Sequence, residues 1–551
     1  MPDLGPPDLD GAGGWIGVGR PLTMASLRGR AVLVYFWSAS SAACRRLVDD
    51  VRPLEDMFGE DLAVVGVHSP RFPEEARHDV VVDAVARLAL AHPVLDDSDH
   101  RAFEAWGADD WPTVVLVDPD GGIVGSVSGA GCGAVLQKAV SEVLEGPTAR
   151  GGRRRRLPPL DRPLLPGGPL AYPGKVACSE NGRYLAIADT GHDQVLVCSR
   201  DGVVLEAHTG FLSPQGVRFD GPGVVVCDTG ADRVVRTDGE VLADELASPW
   251  DLVASGRTWV VAEAGGHRLL RIRPGELRAR QLAGTGEEGA SDGPSTKATL
   301  AQPSGVAMVA GGVVFVDATA SSLRLVVEDR RGAEVSTLAG GGPLDCGAED
   351  GPGPAARLQH PLGVAASPAG GPVYVADTYN SALRVWDGQR LRTLAVRGLR
   401  HPGGLDLLPD GRLVVADTGN SRIVVVDPAT ASVEPVDVDE TWVHGDDGEP
   451  VRVRPGATAE VEVGIEIVDE ELDLSGAGPA VRVVVSARPA GLLAGGPVSA
   501  TQDGPTGRVR VEGARAGSGL LLVEVTARTR GAAGVTERIH RRRHLFDVTG
   551  A

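Results

Sequence analysis

The cysteines are the first residues in this sequence that could do chemistry, because a thiolate is both a nucleophile and a redox group. They lie at positions 44, 132, 178, 198, 227 and 346, so no two have the Cys-x-x-Cys spacing of a dithiol or metal site. Ser41 stands three residues before Cys44, where a dithiol would have its other cysteine. A serine hydroxyl cannot replace a thiolate in disulfide exchange, so residue type excludes ordinary dithiol chemistry.

Two interpretations of Cys44 stay open. In the first, it is a lone reactive thiol near the start of a helix, activated by the helix dipole and by Arg45 and Arg46. It would then act as a monothiol reductase or a peroxidase. In the second, Cys44 is a small buried apolar residue without redox activity. Cys132 could resolve a disulfide with Cys44, but the sequence gives no distance between the two.

The secondary structure predicted around this loop alternates between strand and helix over the first 150 residues, as in an α/β sheet. Continuous apolar runs indicate strands buried on both faces. Apolar residues at three- and four-residue spacing indicate helices. The predicted elements are strands over 31–37 and 62–68, helices over 42–58 and from Pro73, and a hairpin over 114–118 and 123–127.

Residues 15–144 resemble a thioredoxin-fold domain. The similarity rests on Phe36-Trp37 before a loop of small residues, on 66–70, and on Trp111-Pro112-Thr113, which resembles the cis-proline signature of the fold. The resemblance implies that Cys44 matches the second, buried cysteine of the redox motif and that Ser41 occupies the position of the attacking one. It also implies a recognition surface around the loop, with binding residues Trp37, Ser41, Trp111, Pro112 and Thr113.

Between residues 169 and 438 a short element recurs six times, with an acidic residue between two apolar strands. It marks a hairpin turn, where Asp and Gly supply side-chain bonds and positive φ. Successive acidic positions are 39, 35, 54, 60 and 40 residues apart, and the two long gaps contain related Gly-rich insertions. We expect the acidic residues to be structural rather than ligand-binding. They are Asp189, Asp228, Glu263, Asp317, Asp377 and Asp417.

A second element, Pro-x-Gly-Val, precedes each turn, with a degenerate first copy at 173–176. The two elements together resemble the NHL repeat, and six copies of a four-stranded unit predict a closed six-bladed β-propeller. Arginines five or seven residues after the acidic position are expected to pair with a nearby carboxylate or carbonyl. They are Arg233, Arg268, Arg422, Arg324 and Arg384.

The tail, 439–551, alternates with period two and predicts a small antiparallel β-sandwich. The predicted organisation is therefore a thioredoxin-like domain over 1–148, an Arg/Pro/Gly linker over 149–168, an NHL propeller over 169–438 and a β-sandwich over 439–551. This order resembles the NHL repeat-containing protein 2 family, which implies the architecture firmly and a role in cell redox homeostasis only weakly, because Ser-x-x-Cys replaces the redox motif.

The formal net charge of -20 disfavours nucleic acid as a partner, because carboxylates repel a phosphate backbone. No apolar run approaches ~18 residues, so no membrane partner is expected. The N-terminus shows no signal peptide, and the cysteine usage fits a reducing compartment, which predicts the cytoplasm. No metal-ligand spacing is visible, and we expect no cofactor.

The leading hypothesis is a scaffold that binds a protein or a small molecule on a propeller face and has little or no catalytic activity. The first alternative is the monothiol enzyme that works through Cys44. The second is a metal-dependent propeller hydrolase, because six blades supply many carboxylates.

Overall fold

A computed structural model of the protein describes residues 5–146 and 157–438, except 222, 277, 331 and 344, and the backbone of the strands between 446 and 548. The chain divides into two compact units. The first contains 1–176, 188–193 and 211–433. The second contains 177–187, 194–210 and 434–551. The whole candidate site lies within the first unit.

The N-terminal part has the thioredoxin fold, a six-stranded sheet in the order β1-β4-β3-β2-β5-β6 with helices beside it. Strand β2 is parallel to β3 and antiparallel to β5. The strands are β1 Gly14–Ile16, β2 Ala31–Trp37, β3 Leu62–His68, β4 Val94–Asp96, β5 Thr113–Val117 and β6 Ile123–Ser128. The helices are α1 Met24–Leu27, α2 Ala42–Phe58, α3 His78–Arg87, α4 Arg101–Ala105 and α5 Gly133–Glu145.

Alternate residues of β2 enter two different apolar clusters. Leu33 and Tyr35 pack with α2 and α5, whereas Val34 and Phe36 pack in the cluster on the other face. This burial on both faces is the reason for the uninterrupted apolar run that predicts the strand. The predicted bounds of β2, β3 and α2 are confirmed.

The predicted helix from Pro73 is instead a single 3-10 turn over Pro73–Ala76, and α3 begins only at His78. Arg77 separates the two, because its backbone is extended at φ -80° and ψ 127°. The predicted hairpin is confirmed with small differences, since β5 begins and ends one residue earlier than predicted and β6 ends one residue later. The peptide bond between Trp111 and Pro112 is cis, as the resemblance implies.

Residues 176–436 form six antiparallel sheets in chain order, so the six-bladed propeller is confirmed. Their strands follow. Blade 1 has β7 Val176–Cys178, β8 Tyr184–Asp189, β9 Gln194–Ser199 and β10 Val204–His208; blade 2 has β11 Val217–Asp220, β12 Gly223–Asp228, β13 Arg233–Arg236 and β14 Val241–Ala243; blade 3 has β15 Pro249–Ser255, β16 Thr258–Glu263, β17 Arg268–Ile272 and β18 Arg280–Ala283. Blade 4 has β19 Gly293–Pro294, β20 Pro303–Val309, β21 Gly312–Asp317, β22 Ser322–Asp329 and β23 Gly332–Ala339; blade 5 has β24 Gly351–Pro352, β25 Gly363–Ala365, β26 Val373–Asp377, β27 Ala382–Trp386 and β28 Arg390–Thr393; blade 6 has β29 Gly404–Leu407, β30 Leu413–Asp417, β31 Arg422–Val426 and β32 Val433–Val436.

The two long insertions are related in structure as well as in sequence. Each adds a two-residue strand, β19 or β24, to the edge of the blade that follows it. Each also places an aspartate against a buried arginine. Asp292 pairs with Arg324 at 2.9 Å, and Asp350 pairs with Arg384 at 2.8 Å. The arginine seven residues after the acidic position therefore bridges its own turn and the insertion.

The repeated acidic residue stabilises the same contacts in every blade. One carboxylate oxygen accepts a backbone N–H from the segment 16 to 18 residues upstream, at 2.6–2.9 Å. The other oxygen accepts from a basic side chain at 2.7–2.8 Å. The basic partners are His192, Arg233, Arg268, Arg324, Arg384 and Arg422, so the predicted arginine pairing is confirmed.

A threonine after the acidic residue connects four blades to the next one. Its hydroxyl donates to the carbonyl of the repeated proline in the following blade, at 2.6–2.8 Å. The bond from Thr418 to Pro173 joins the last blade to the first. Ala264 and Ala318 occupy this position in blades 3 and 4, where the repeat is looser in sequence. The donors are Thr190, Thr229, Thr378 and Thr418.

In the C-terminal region the strands form a six-stranded sheet in the order β33-β40-β39-β36-β37, with β35 on β39, and a separate pair β34-β38. All pairs are antiparallel except β33 with β40, which is parallel and differs from the prediction. The strands are β33 Asp446–Val453, β34 Thr458–Gly464, β35 Glu471–Leu472, β36 Val481–Arg488, β37 Val498–Gln502, β38 Thr506–Glu512, β39 Gly517–Gly531 and β40 Gly534–Val548. The first part of the predicted linker lies outside the described residues, and Leu160 in its second part bridges Val18.

The Thr229 hydroxyl is fully buried and donates to the Pro249 carbonyl at 2.6 Å. We expect Thr229→Val to lower the free energy of unfolding by about 1 kcal/mol, because it removes a buried hydrogen bond without opening a cavity. The measurement is the urea midpoint of the full chain. Thr430→Val, at an exposed position, is the matched control and should leave the midpoint unchanged. Equal midpoints for both variants would contradict the proposed connection between blades.

Candidate functional site

The loop from β2 to α2 is closed by hydrogen bonds to its own residues. Ser41 is the N-cap of α2, and its Oγ accepts from the Cys44 amide at 3.2 Å. The Ser38 amide donates to the Cys44 Sγ at 3.5 Å. Ser41 therefore has a structural role at the position where the resemblance places an attacking thiol.

Cys44 is 0% exposed and packs in the apolar cluster with Trp37 and Leu47. Burial raises the pKa of its thiol to about 12, and the hydrogen bonds from Ser41 and Ser38 only partly offset that effect. An activated thiol needs a lowered pKa, so the structure favours the second interpretation, a buried apolar residue. Cys132 is buried in the same cluster, and both thiols are free.

The buried carboxylate of Glu75 accepts hydrogen bonds both from the loop and from the residues that pack against it. It is 0% exposed and accepts from the Ser38 hydroxyl at 2.8 Å, the Ser40 amide at 2.6 Å and the Arg71 amide at 2.7 Å. Burial would raise the pKa of Glu75, but His68 and these donors outweigh it, so the pKa is lowered. The fourth donor, at 2.9 Å, is the Tyr379 hydroxyl from propeller blade 5.

Gln302 of the propeller also forms hydrogen bonds directly with the loop. The Gln302 side chain accepts from the Ala42 amide and donates to the Ser40 carbonyl, each at 2.8 Å. This amide satisfies one of the free N–H groups at the start of α2. The loop is consequently covered, since Ser38, Ser40 and Ser41 are 1%, 5% and 6% exposed.

Gln302 belongs to a ring of six equivalent residues on the propeller. Each directly precedes the repeated proline, and each has a positive φ between 46° and 69°. Non-glycine residues seldom adopt this left-handed conformation, and it concentrates at functional sites. We call these residues the pre-proline ring. They are Tyr172, Ser213, Ser248, Gln302, His360 and His401.

Members of the pre-proline ring meet the thioredoxin-like domain through different chemistry. The Tyr172 hydroxyl donates to Asp83 at 3.1 Å, and the His401 Nε2 lies 2.9 Å from a Glu74 oxygen. The His360 ring lies against the Phe72 ring, with centroids 5.2 Å apart. The ring thus presents a different side chain from each blade, which is how a repeated fold makes an asymmetric surface.

A cavity lies between the loop and the pre-proline ring. Its space not occupied by atoms is about 1100 Å³, the open mouth included. The loop lines it with 38–41, and α3 lines it with Val80, Asp83, Ala84 and Arg87. The propeller contributes pre-proline residues, the residues after the repeated prolines and Tyr379. These propeller residues include Tyr172, Ser213, Gln215, Trp250, His360, Leu362 and His401.

Two charged residues pair next to this cavity, where the first strands of the blades converge. Lys175 and Asp251 replace the glycine of the Pro-x-Gly-Val element in blades 1 and 3. Lys175 Nζ lies 3.8 Å from an Asp251 oxygen and donates to the Leu362 carbonyl. Glycine is required at the equivalent Gly404, because a Cβ there would come within 2.6 Å of the Lys175 side chain.

The predicted binding residues are placed differently from the expectation, and the predicted recognition surface is wrong for Trp37. That residue is 0% exposed, with its ring against His68 at 4.9 Å. Trp111 stacks on Phe103 at 4.6 Å. Pro112 and Thr113 are buried. Of the predicted loop residues, the structure brings Ser41 to the cavity.

Sequence reasoning missed Glu75 and the pre-proline ring. A signal for the ring is present in the sequence, because all six residues directly precede the repeated proline. Glu75 carries no such signal, since its partners are distant in sequence. Tyr379, for example, lies 304 residues away.

Among the described residues, no group of three His, Cys, Asp or Glu side chains could hold a metal ion. The metal-dependent hydrolase hypothesis therefore has no ligand set in that part of the chain. None of the helices in the described ranges is both long and apolar enough to cross a bilayer.

The fold and the site define a class of protein, a thioredoxin-like domain with a Ser-x-x-Cys loop joined to an NHL propeller. The thioredoxin-like family matches residues 29–123, and the NHL repeat family matches 399–426. The chain is 31% identical over 517 residues to NHL repeat-containing protein 2 of Gallus gallus, with 78% of this chain and 71% of that one covered. The chain belongs to the NHL repeat-containing protein 2 family.

Two further relatives share parts of this architecture. Protein SUPPRESSOR OF QUENCHING 1, chloroplastic, of Arabidopsis thaliana is 29% identical over 477 residues, which cover 73% of this chain and 44% of that protein. The thiol-disulfide oxidoreductase YkuV of Bacillus subtilis (strain 168) is 27% identical over 139 residues, 25% of this chain and 93% of that protein.

Alkylation tests the assignment of Cys44 as a buried apolar residue. We expect Cys44 in the folded chain to react with iodoacetamide only as fast as the protein unfolds, because its thiol is fully buried and its pKa is raised to about 12. Mass spectrometry after alkylation from pH 6 to 9, with partly exposed Cys178 as the internal control, measures the rates. Rapid labelling of Cys44 at neutral pH would contradict the assignment.

His360 should make the stability of the chain depend on pH. Burial lowers the pKa of His360 to about 4, so the unfolded state binds more protons between that value and the ordinary ~6.5. The protonation of His360 should therefore lower the free energy of unfolding by about 3 kcal/mol as the pH drops from 6.5 to 4.

His360→Asn should remove this part of the pH dependence, since Asn tolerates the left-handed backbone and does not titrate in this range. Urea midpoints across the pH range give the measurement. His208→Asn, outside the site, is the control and should keep the wild-type slope. An unchanged slope in His360→Asn would show that His360 does not titrate as described.

Proposed function

We propose that this protein is a ligand-binding scaffold in which the cavity between the Ser-x-x-Cys loop and the pre-proline ring is the binding site. The observation that carries the proposal is the burial of the loop by Gln302 and Glu75 beside an open cavity. A loop that exchanged disulfides with protein substrates would have to be accessible. Here its backbone is engaged by the propeller instead.

The shape and lining of the cavity favour a small molecule over a protein as the partner. Small-molecule sites are concave, partly apolar, and carry a few converging polar groups. Trp250, Tyr379 and Val80 supply apolar surface, and Gln215 and Ser213 supply polar groups. The net charge of -20 disfavours nucleic acid here as well.

We also propose that the protein works in the cytoplasm or a comparable reducing compartment. Cys44, Cys132, Cys227 and Cys346 are free thiols. Disulfides form readily in oxidising compartments, so four cysteines that form none fit a reducing one.

Activity assays test whether the scaffold is catalytic. We expect the full chain and Cys44→Ser to reduce insulin disulfides only at the background rate, because Ser41 cannot form the mixed disulfide and the Cys44 thiol is buried. The Bacillus subtilis oxidoreductase serves as the positive control. A wild-type rate above background that is lost in Cys44→Ser would favour the monothiol enzyme instead.

A second experiment tests the cavity. Ala84 is buried on α3 and lines the space, so Ala84→Phe should fill part of it. We expect compounds from a small-molecule panel that raise the Tm of the wild-type chain to have no effect on this variant. Ala134→Phe, at an exposed position of α5, is the control and should respond like wild type. Binding that survives Ala84→Phe would move the site elsewhere.

A further inference from the structure

Two arginines bring positive charge to the cavity from neighbouring helices. Arg45 lies in the first turn of α2, and Arg87 is the last residue of α3. Both line the cavity. They are not part of the pre-proline ring or of the hydrogen bonds around Glu75.

Arg45 is buried with an incomplete set of partners. Its side chain is 11% exposed, and its Nε and Nη2 groups are buried without a hydrogen-bond partner among the described residues. Its Nη1 lies 3.8 Å from an Asp49 oxygen, too far for a hydrogen bond. Proteins rarely leave the N–H groups of a buried guanidinium unpaired, because burying an unpaired charge is costly.

Nearby carboxylates are already engaged elsewhere. Asp232 pairs with Arg46 at 3.2 Å and accepts from the Ser248 amide at 2.7 Å. Asp193 accepts from the Ser213 amide at 2.6 Å. The Nε and Nη2 groups of the buried Arg45 guanidinium have no acceptor among the described residues.

The Arg87 guanidinium makes no hydrogen bond or ion pair with the residues that the structure describes. Asp83 is the one carboxylate among the described residues that line the cavity, and it is taken by Arg400 at 2.5 Å and by the Tyr172 hydroxyl at 3.1 Å. Arg45 and Arg87 thus line the same cavity as like charges, and the ion pair of Arg45 with Asp49 at 3.8 Å is the one that either makes among the described residues. Burial lowers the pKa of Arg45, and the charge of Arg87 adds to this effect, against Asp49 and Asp232.

We propose that the cavity binds a small organic anion whose carboxylate or phosphate group is held by Arg45 and Arg87. A guanidinium offers planar, paired donors that match both kinds of oxyanion. The anion would supply the acceptors that Arg45 lacks and neutralise the repulsion between the two arginines. This inference rests on the proposed function, since it names the ligand class of the same cavity.

Calorimetric titration of the full chain with inorganic phosphate and, separately, with citrate tests the proposal at constant ionic strength. We expect one of the two to bind in a 1:1 complex, and Arg45→Gln and Arg87→Gln each to weaken that binding by about tenfold or more. Arg101→Gln, an exposed arginine of the same domain, is the matched control and should bind like wild type. Citrate binding alone assigns a carboxylate ligand, and phosphate binding alone assigns a phosphate ligand.

Thermal unfolding adds a second readout, and its part without an anion does not depend on affinity. Without an anion, Arg45→Gln should melt above the wild type, because it removes a buried charge with unpaired N–H groups. With an anion present the wild type should gain more stability than the variant, so the difference in melting temperature should shrink or reverse, because the wild type binds the anion more tightly. An Arg45→Gln variant that melts below the wild type without an anion would show that Arg45 is a structural residue.

Other outcomes separate this inference from the proposed function. Equal affinity of wild type and both Gln variants, or no binding of either anion, would overturn the inference. A neutral compound that binds the wild type and both arginine variants with equal affinity, but does not bind Ala84→Phe, would overturn the inference. It would leave the proposed function standing. A full chain that binds no compound of any class would overturn both.

Discussion

The buried carboxylate of Glu75 is the charge around which the loop and the propeller are arranged. A carboxylate without exposure is tolerated only when its oxygens are well satisfied, and Glu75 has four donors. Three come from the thioredoxin-like domain and the fourth, the Tyr379 hydroxyl, comes from blade 5. Separating the thioredoxin-like domain from the propeller would expose the Glu75 carboxylate or leave it with fewer hydrogen-bond donors. The same contact therefore fixes the covered state of the loop and the walls of the cavity beside it.

The loss of dithiol chemistry and the burial of the loop are consistent with each other. With Ser41 as a helix cap, the loop no longer has to present a thiolate to a partner. Cys44 can then remain as a small apolar residue in the core, and Gln302 can occupy the space where a substrate would approach. A serine in this position would be a poor substitute in an enzyme, but it is a good N-cap.

The propeller resolves the problem of building one asymmetric site from six similar blades. Its repeated acidic residues and threonines are used for turns and for the bonds between blades. Its specificity lies in the pre-proline ring, where the backbone conformation is shared but the side chains differ. Lys175 and Asp251 add a second departure from the repeat, and their pairing shows that the two substitutions belong together. Individual positions thus vary without disturbing the repeat that holds the blades.

The thioredoxin-like domain, the six blades and the structural role of the acid–arginine pairs are predictable from the sequence alone, because they depend on local apolar patterns and on spacings that recur along the chain. The exclusion of disulfide exchange by Ser41 is predictable in the same way, since that follows from residue type. The burial of Trp37, the contact of Glu75 with Tyr379 and the missing acceptors of Arg45 become visible only in the folded structure. Burial and hydrogen-bond satisfaction depend on residues hundreds of positions apart, and no local pattern records which of them meet.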